Sequence, residues 1–287
     1  MNDFKLLLCT DMDRTIIPNG LQPESSDARK RFADFCQLPE VTLAYVTGRH
    51  LALVEKAIKN YSLPKPDFVI SDVGTKIYQL KNKCWTDMPV WSEEIAKDWN
   101  GKNHAQLKQL FSHIKKLNIQ EVSKQNTYKL SYYLPLQVDQ NAIIAEMQLL
   151  LEKENVKASL IWSIDEPKGV GLLDVLPQNA TKLHAIDFLY KLLGYRIDEV
   201  IFAGDSGNDL PVLSSPIPSI LVANATDDIK QTAIKLVIQN NCIDSLYIAN
   251  SKALNMNGNY AAGVLEGVWH FAPEIRNKLQ KGVDNGE

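Results

Sequence analysis

No apolar run of about 18 residues occurs anywhere in the chain, so it offers no candidate for a transmembrane helix. The N-terminus also lacks a charged region followed by a cleavable apolar stretch, which makes a cytoplasmic location the expectation. Blocks of five or six like charges are absent and the formal net charge is only −3, against nucleic acid or an anionic membrane as the main partner. Cysteine is scarce. The four present (Cys9, Cys36, Cys84, Cys242) stand far apart with no CxxC spacing, which suits packing residues in a reducing compartment and argues against structural zinc. The five histidines (His50, His104, His113, His184, His270) make no i,i+4 pair, the spacing a helical metal site would need. What is there is an ordinary globular composition, 45% hydrophobic and 23% charged, over 287 residues, a length that suits two domains.

Apolar runs and turn residues set the organisation. A strand over Lys5–Thr10 is followed by a helix from Ser26 to Phe35 with Ser25 or Ser26 as its cap, a strand over Val41–Val46, a helix from His50 to Asn60, and a strand over Phe68–Ser71. Strand alternating with helix through short connections predicts right-handed parallel crossovers. The later part resumes the pattern: helix Thr181–Leu193, strand Glu199–Ala203, strand Pro218–Val222, helix Asp227–Ala233 and an amphipathic helix over Tyr260–Phe271. Between them lies a different rhythm, with helices over His104–Lys116 and Asp139–Lys153 and strands over Ile119–Ser123, Tyr128–Leu134, Ala158–Ser163 and Leu172–Leu176. This αββαββ order predicts an inserted α+β domain, giving residues 1–82 as the first core segment, 83–176 as the insertion and 177–287 as the second core segment. Val73-Gly74 and Pro177-Gln178 are the expected hinges, Trp91, Trp99 and Trp162 are expected to pack within the insertion, and Lys278–Glu287 reads as a polar tail.

The first strand ends in Asp11-Met-Asp13-Arg-Thr15. On extended chain two carboxylates two residues apart point the same way. Like charges held that close need a cation or a shared proton. Three more loops at strand or helix ends carry suggestive residues: Thr47-Gly48-Arg49, Lys182, and Asp205 with Asn208 and Asp209. Singly, each has an ordinary reading as a cap, a turn or a solvated side chain. Together, two acid clusters at strand ends suit Mg²⁺, which takes one or two carboxylates and bridges to phosphate. A hydroxyl and backbone amides at Thr47-Gly48 with a lysine opposite would complete a phosphate cradle. A carboxylate nucleophile, a second carboxyl as acid and base, a metal and a lysine fit phosphoryl transfer through an aspartyl phosphate.

The ordered set D-x-D-x-T, T-G-R, K and G-D-S-G-N-D resembles the haloacid dehalogenase (HAD) superfamily, with a Rossmann-like parallel-sheet core and an inserted αββαββ cap domain between the second and third motifs. More narrowly the chain is similar to the sucrose-phosphate phosphatase family, through Thr10-Asp-Met-Asp-Arg-Thr15, Ala44-Tyr-Val-Thr-Gly-Arg49, Ser71-Asp-Val-Gly-Thr-Lys-Ile-Tyr78, Lys129-Leu-Ser-Tyr132, Asp174-Val-Leu-Pro-Gln178, Gly204–Asp209 and Val222-Ala-Asn-Ala225. The resemblance implies Asp11 as nucleophile and metal ligand, and Asp13 as acid then base, with its backbone carbonyl on the metal. It implies phosphate contacts from Thr47, Gly48 and Asn208, and Lys182 as the neutralising cation. Asp205 would ligate Mg²⁺ directly, with Asp209 behind it. Lys129 in the cap, with Arg49 and His50 at the mouth, would contact the leaving group, a small-molecule sugar phosphate handled by a monomer. Arg14 stands where the superfamily often has Gly or Asn and is expected to point outward. The expected activity is Mg²⁺-dependent hydrolysis of a sugar phosphate, such as sucrose 6-phosphate. The rivals are a phosphomutase or phosphotransferase with the same nucleophile, and a catalytically idle binding module, which the full motif set disfavours.

Overall fold

The computed structural model describes residues 4–251 and 254–275; the expected tail Lys278–Glu287 lies outside them. One sheet is built from β1 (Leu6–Thr10), β2 (Val41–Val46), β3 (Phe68–Ser71), β4 (Lys76–Lys81), β5 (Cys84–Asp87), β10 (Val200–Gly204), β11 (Ser219–Leu221) and β12 (Leu246–Ile248). Its eight strands run in the order β12-β11-β10-β1-β2-β3-β4-β5, parallel from β12 to β3 and antiparallel beyond. Burial of both faces explains why β1 is apolar from Leu6 to Cys9. Leu6 and Leu8 face α1 (Ala28–Cys36), α2 (Leu51–Tyr61) and α9 (Ala261–Phe271), while Leu7 and Cys9 face α3 (Pro89–Ala96), α6 (Lys182–Leu192), α7 (Leu210–Leu213) and α8 (Asp227–Gln239). A central strand covered by helices on both faces leaves little room for polar side chains until its end, at Thr10 and Asp11.

A second sheet comprises β6 (Asn118–Ile119), β7 (Leu130–Pro135), β8 (Ala158–Asp165) and β9 (Val170–Pro177), antiparallel in the order β6-β7-β9-β8. Leu130, Tyr132, Leu134, Leu173 and Val175 face Leu107 and Phe111 at α4 (His104–Leu110), and Met147 and Leu151 of α5 (Gln140–Lys153). The αββαββ order is therefore present, in shortened form. α4 stops at Leu110, β6 has two residues, and Val122–Lys124 is a 3₁₀ turn.

Several expectations need correction. Asp27, at φ 58°, precedes α1, which starts at Ala28, and makes no side-chain cap bond; Ser25 Oγ instead accepts from the Asn257 N–H at 2.8 Å. The first core segment does not end at 82. That position lies in the turn of the β4–β5 hairpin, where Asn82 and Lys83 both take positive φ (48° and 66°), and both strands belong to the large sheet. Two left-handed residues form the tight hairpin turn that Asn-Gly usually signals, and Lys83 conceals it. α3 adds Trp91 and Ile95 to the core of the large sheet, so Trp91 is not a cap residue. Chain crosses to the cap at Lys97–Asp98, next to Trp99 of the cap core, and returns through Pro177–Asn179. Val73-Gly74 accordingly sits inside the core and does not hinge the cap.

Candidate active site

The carboxyl ends of β1, β2 and β10 converge with the start of α6, the edge of a parallel sheet where ligands bind. Asp11 continues β1, its N–H donating to the Ala203 carbonyl at 2.8 Å, and is buried. Lys182, the first residue of α6, is placed by Thr181, whose Oγ accepts the His184 N–H at 3.1 Å. Gly74 (φ 92°) packs against this turn so closely that a Cβ would lie 2.8 Å from the Thr181 carbonyl carbon. The Lys182 ammonium donates to Asp11 Oδ1 at 2.8 Å and Asp209 Oδ1 at 2.7 Å, and lies 3.5 Å from Asn208 Oδ1. Asp209 is fully committed: its Oδ2 accepts from the N–H groups of Asp205 and Ser206, both at 3.1 Å, and from Ser206 Oγ at 3.0 Å. Gly204 permits this, since a Cβ there would stand 2.6 Å from the Asp209 carboxyl carbon.

Carboxylate oxygens of Asp11, Asp205 and Asp209 lie within 4.8 Å of one another. One lysine cannot neutralise three buried acids. Burial, against the pull of Lys182, together with the charges of Asp209 and Asp205 pushes the Asp11 carboxyl well above its usual range. Burial and Asp209 push Asp205 up to about 6, against Arg14, Thr15 and Lys182. For Lys182, burial opposes the charge, but Asp11 and Asp209 outweigh it and hold the ammonium firmly protonated. A hard cation with oxygen ligands would relieve the excess, so the donor set fits Mg²⁺. The carboxylate of Asp13 is not in this cluster. It accepts from Arg49 at 2.7 and 2.5 Å and from Asn19 Nδ2 at 2.8 Å, which leaves its backbone carbonyl as the group to offer a metal. Burial raises the Asp13 pKa, but the hydrogen bonds and charge of Arg49 outweigh it and hold the carboxyl below its usual value.

Thr47 is buried at the end of β2, with its N–H on the Ile70 carbonyl at 2.8 Å. Its Oγ accepts from the Arg49 N–H at 3.2 Å, which leaves the hydroxyl proton, not the amide, for a ligand. A Cβ at Gly48 would meet only Val73, 3.9 Å away, so packing within the chain does not explain that glycine, whereas close approach of a ligand would. The loop is backed by Asp72 and Val73, both at positive φ (51° and 60°), whose N–H groups donate to the carbonyls of Arg49 and Thr47 at 3.1 and 3.3 Å. A β-branched residue there is strained, at a cost of about 1–3 kcal/mol, and such strain gathers at functional loops. A cavity of about 360 Å³ opens between Asp11, Asp13, Thr47, Gly48, Asp205 and Asn208. A wider opening of about 480 Å³ near Glu24 and Tyr61 contains none of the four loops, and its Arg29 is tied to Glu24 and the Tyr61 carbonyl.

Arg14 does not point outward: its Nε lies 3.3 Å from Asp205 Oδ2 and it lines the same cavity. His50 occupies the cap position of α2. Lys129 is buried in the cap just before β7, 3.7 Å from Asp174, whose other oxygen accepts from Ser131 Oγ at 2.5 Å. Burial raises the Asp72 carboxyl, countered first by Lys129, so a cap lysine acts on a core acid. Asn126 joins the two bodies directly, donating to Thr75 Oγ at 2.9 Å. Sequence reasoning assigned no role to Asp72, Asp98, Asp174 or Asn179. The Asp98 carboxylate takes both the N–H and the Nδ2 of Asn179 at 2.7 and 3.0 Å, stitching the two crossings together. Among the described residues no helix is long and apolar enough to cross a membrane.

Comparison with known proteins shows the family. The chain is 48% identical to a protein of Nitrosococcus oceani described as a HAD-like hydrolase, over 97% of this chain and 75% of that protein. It is 27% identical to the mannosylfructose-phosphate phosphatase of Agrobacterium fabrum, over 92% and 96% of the two lengths. Its fold is similar to that of the Synechocystis sucrose-phosphatase solved with sucrose and phosphate, with a TM-score of 0.68 at 22% identity over 93% of this chain and 98% of that one. The description sucrose-6F-phosphate phosphohydrolase matches residues 4–272. The chain therefore belongs to the sucrose-6F-phosphate phosphohydrolase family, a group of HAD-type phosphatases.

Proposed function

We propose that the protein is a Mg²⁺-dependent phosphatase that hydrolyses a sugar phosphate, sucrose 6-phosphate or a similar disaccharide or hexose phosphate, with Asp11 as nucleophile. The observation that carries this reading is Lys182 wedged between Asp11 and Asp209, with Asp205 within reach, beside a cavity lined by Asp11, Asp205, Thr47 and Gly48. Asp11, Asp205 and the Asp13 carbonyl would hold Mg²⁺, with Asp209 behind them, and the ion would add positive charge against the phosphoryl oxygens. Lys182 leaves one Asp11 oxygen engaged and orients the other for in-line attack on phosphorus. The new Asp11–phosphorus bond forms as the ester bond breaks, and Asp13 gives its proton to the departing sugar alkoxide. To do so Asp13 must first be protonated, and an incoming phosphoryl dianion that competes for Arg49 favours that. Asp13 then takes a proton from water, which attacks the phosphoaspartate, frees inorganic phosphate and restores Asp11. Lys129, Arg49 and His50 would contact the sugar; the family names span several leaving groups, as the mannosylfructose-phosphate phosphatase illustrates.

The test is phosphate release from a panel of mono- and disaccharide phosphates with Mg²⁺, comparing Asp11→Asn. Release should depend on Mg²⁺ and vanish in the variant; undiminished release would remove Asp11 from the reaction. Phosphorus NMR of the products should show inorganic phosphate and no isomeric sugar phosphate, which would instead mark a mutase.

A further inference from the structure

Arg14 occupies an unusual place. Its backbone is left-handed (φ 58°) and clamped on both sides: its N–H donates to Asn19 Oδ1 at 2.8 Å and to the Ile17 carbonyl at 3.1 Å, and its own carbonyl accepts from Asn224 Nδ2 at 2.6 Å. That clamp turns the side chain inward. The guanidinium Nε stands 3.3 Å from Asp205 Oδ2, yet makes no hydrogen bond and is itself buried, although the Arg14 side chain as a whole is 42% exposed. The contact is thus one of charge without directed bonding, made by the one carboxylate of the cluster that Lys182 does not touch. Among the described residues the other Asp205 oxygen receives only Thr15 Oγ, at 3.3 Å. Arg14 therefore supplies, from the cavity side, the positive charge that Asp205 lacks from within.

We infer that Arg14 is a resident counter-cation for Asp205, which a divalent metal must displace or oppose in order to bind, and that it thereby sets the metal affinity of the site. The inference rests on the reading of Asp205 as a metal ligand. Its physical content is simple. Lys182 already offsets Asp11 and Asp209, so Asp205 carries the charge still open to a cation. A fixed positive charge a few ångströms away weakens the binding of every divalent ion there. A neutral residue at position 14 should tighten metal binding by about tenfold, the order expected from Coulomb's law for a dication and an arginine at partly screened separation.

The experiment is Mn²⁺ binding to the full chain, read from the paramagnetic resonance of free Mn²⁺ without substrate. It compares the parent with Arg14→Asn, Arg14→Gly, Arg14→Lys and Asp205→Asn. Asn and Gly both tolerate the left-handed backbone at this position, so two independent neutral variants are available. Both neutral variants should bind Mn²⁺ about tenfold more tightly, Arg14→Lys should stay near the parent, and Asp205→Asn should bind at least tenfold more weakly. Unchanged or weaker binding in both neutral variants, with Asp205→Asn still impaired, would overturn the role of Arg14 and leave the metal site intact. Equal tightening by Arg14→Lys would show that charge is not the cause, and would overturn it too. Full binding by Asp205→Asn would instead remove the metal reading on which the inference stands.

Discussion

Two lysines in this molecule each serve a pair of carboxylates, on different terms. Lys182 holds Asp11 and Asp209 at 2.8 and 2.7 Å, and all three groups are fixed to the edge of one sheet by β1, β10 and α6. Lys129 stands 3.7 Å from Asp174 and lends its charge to Asp72, and here lysine and first acid belong to the cap while the second acid belongs to the core. For Asp72 the contrast follows from connectivity. A cluster built within one rigid body can be held at hydrogen-bond distance by the main chain. One shared between two bodies depends on how those bodies meet. Fixed geometry is what a nucleophile needs, and an adjustable contact is what a variable leaving group needs.

Breaking the tight cluster should have the largest effect. Lys182→Met would leave Asp11 and Asp209 buried without their cation, costing about 3–5 kcal/mol of stability, and phosphate release should fall at least about a hundredfold. Urea unfolding and phosphate assays check both, and an unchanged unfolding midpoint would show that this cluster is no tauter than the one in the cap. Gly204→Ala comes next. Its methyl would intrude on Asp209 at 2.6–2.8 Å and should cost about 1–3 kcal/mol while displacing the group that steadies Lys182.

A smaller and more diagnostic effect is the pH dependence of the metal-free protein. Asp205 is held at about 6 in the fold against an ordinary value of 3.8. Between those values the unfolded chain has lost this proton while the folded protein retains it, so stability falls as pH rises through that window. Asp11, also raised, acts with the same sign. Asp13 is lowered, so its contribution is present above 3.8 and lost below it, outside the window. Thermal unfolding in a chelator from pH 4 to 6.5 should show the decline, Asp205→Asn should make it shallower, and Mg²⁺ in place of the chelator should reverse it. A flat profile in the parent would mean that the cluster carries no excess charge.

The parts of the fold visible in the sequence were those where local pattern and tertiary role coincide. β1, β2, β3 and β10 are short apolar runs that end in polar loops, and burial on both faces leaves such runs no alternative. The loops they deliver carried the site: Asp11, Thr47, Asp205 and Asp209 are identified by their position after a buried strand. The rest depended on partners far off in sequence. The β4–β5 hairpin was hidden by Lys83 in a turn that usually takes glycine. The helix expected over His104–Lys116 overruns α4 because Phe111 and Ile114 continue the apolar spacing after the helix has ended. Asp98 finds Asn179 across 81 positions, and no periodicity announces such a pair. Arg14 looked like an outward loop residue because its direction is set by Asn19 and Asn224, and the latter lies beyond β11.

The smallest expected effect sharpens the comparison from the cap side. Lys129→Ala removes an ion pair at 3.7 Å without a directed hydrogen bond, so the stability change should be about 1 kcal/mol, well below that of Lys182→Met. If Lys129 serves the leaving group, the variant should raise KM for a disaccharide phosphate about tenfold with kcat within a few-fold of the parent. An aryl phosphate, which offers no sugar hydroxyls, should be cleaved by the variant as by the parent, and Lys129→Arg should restore part of the lost affinity by keeping the charge. The opposite pattern, kcat reduced equally on both substrates, would place Lys129 with Lys182 in the reaction machinery. The weak hold on Lys129 within the cap would then leave its charge free to serve the core acid Asp72 as substrate draws the two bodies together, and would not reflect any freedom in what the cap accepts.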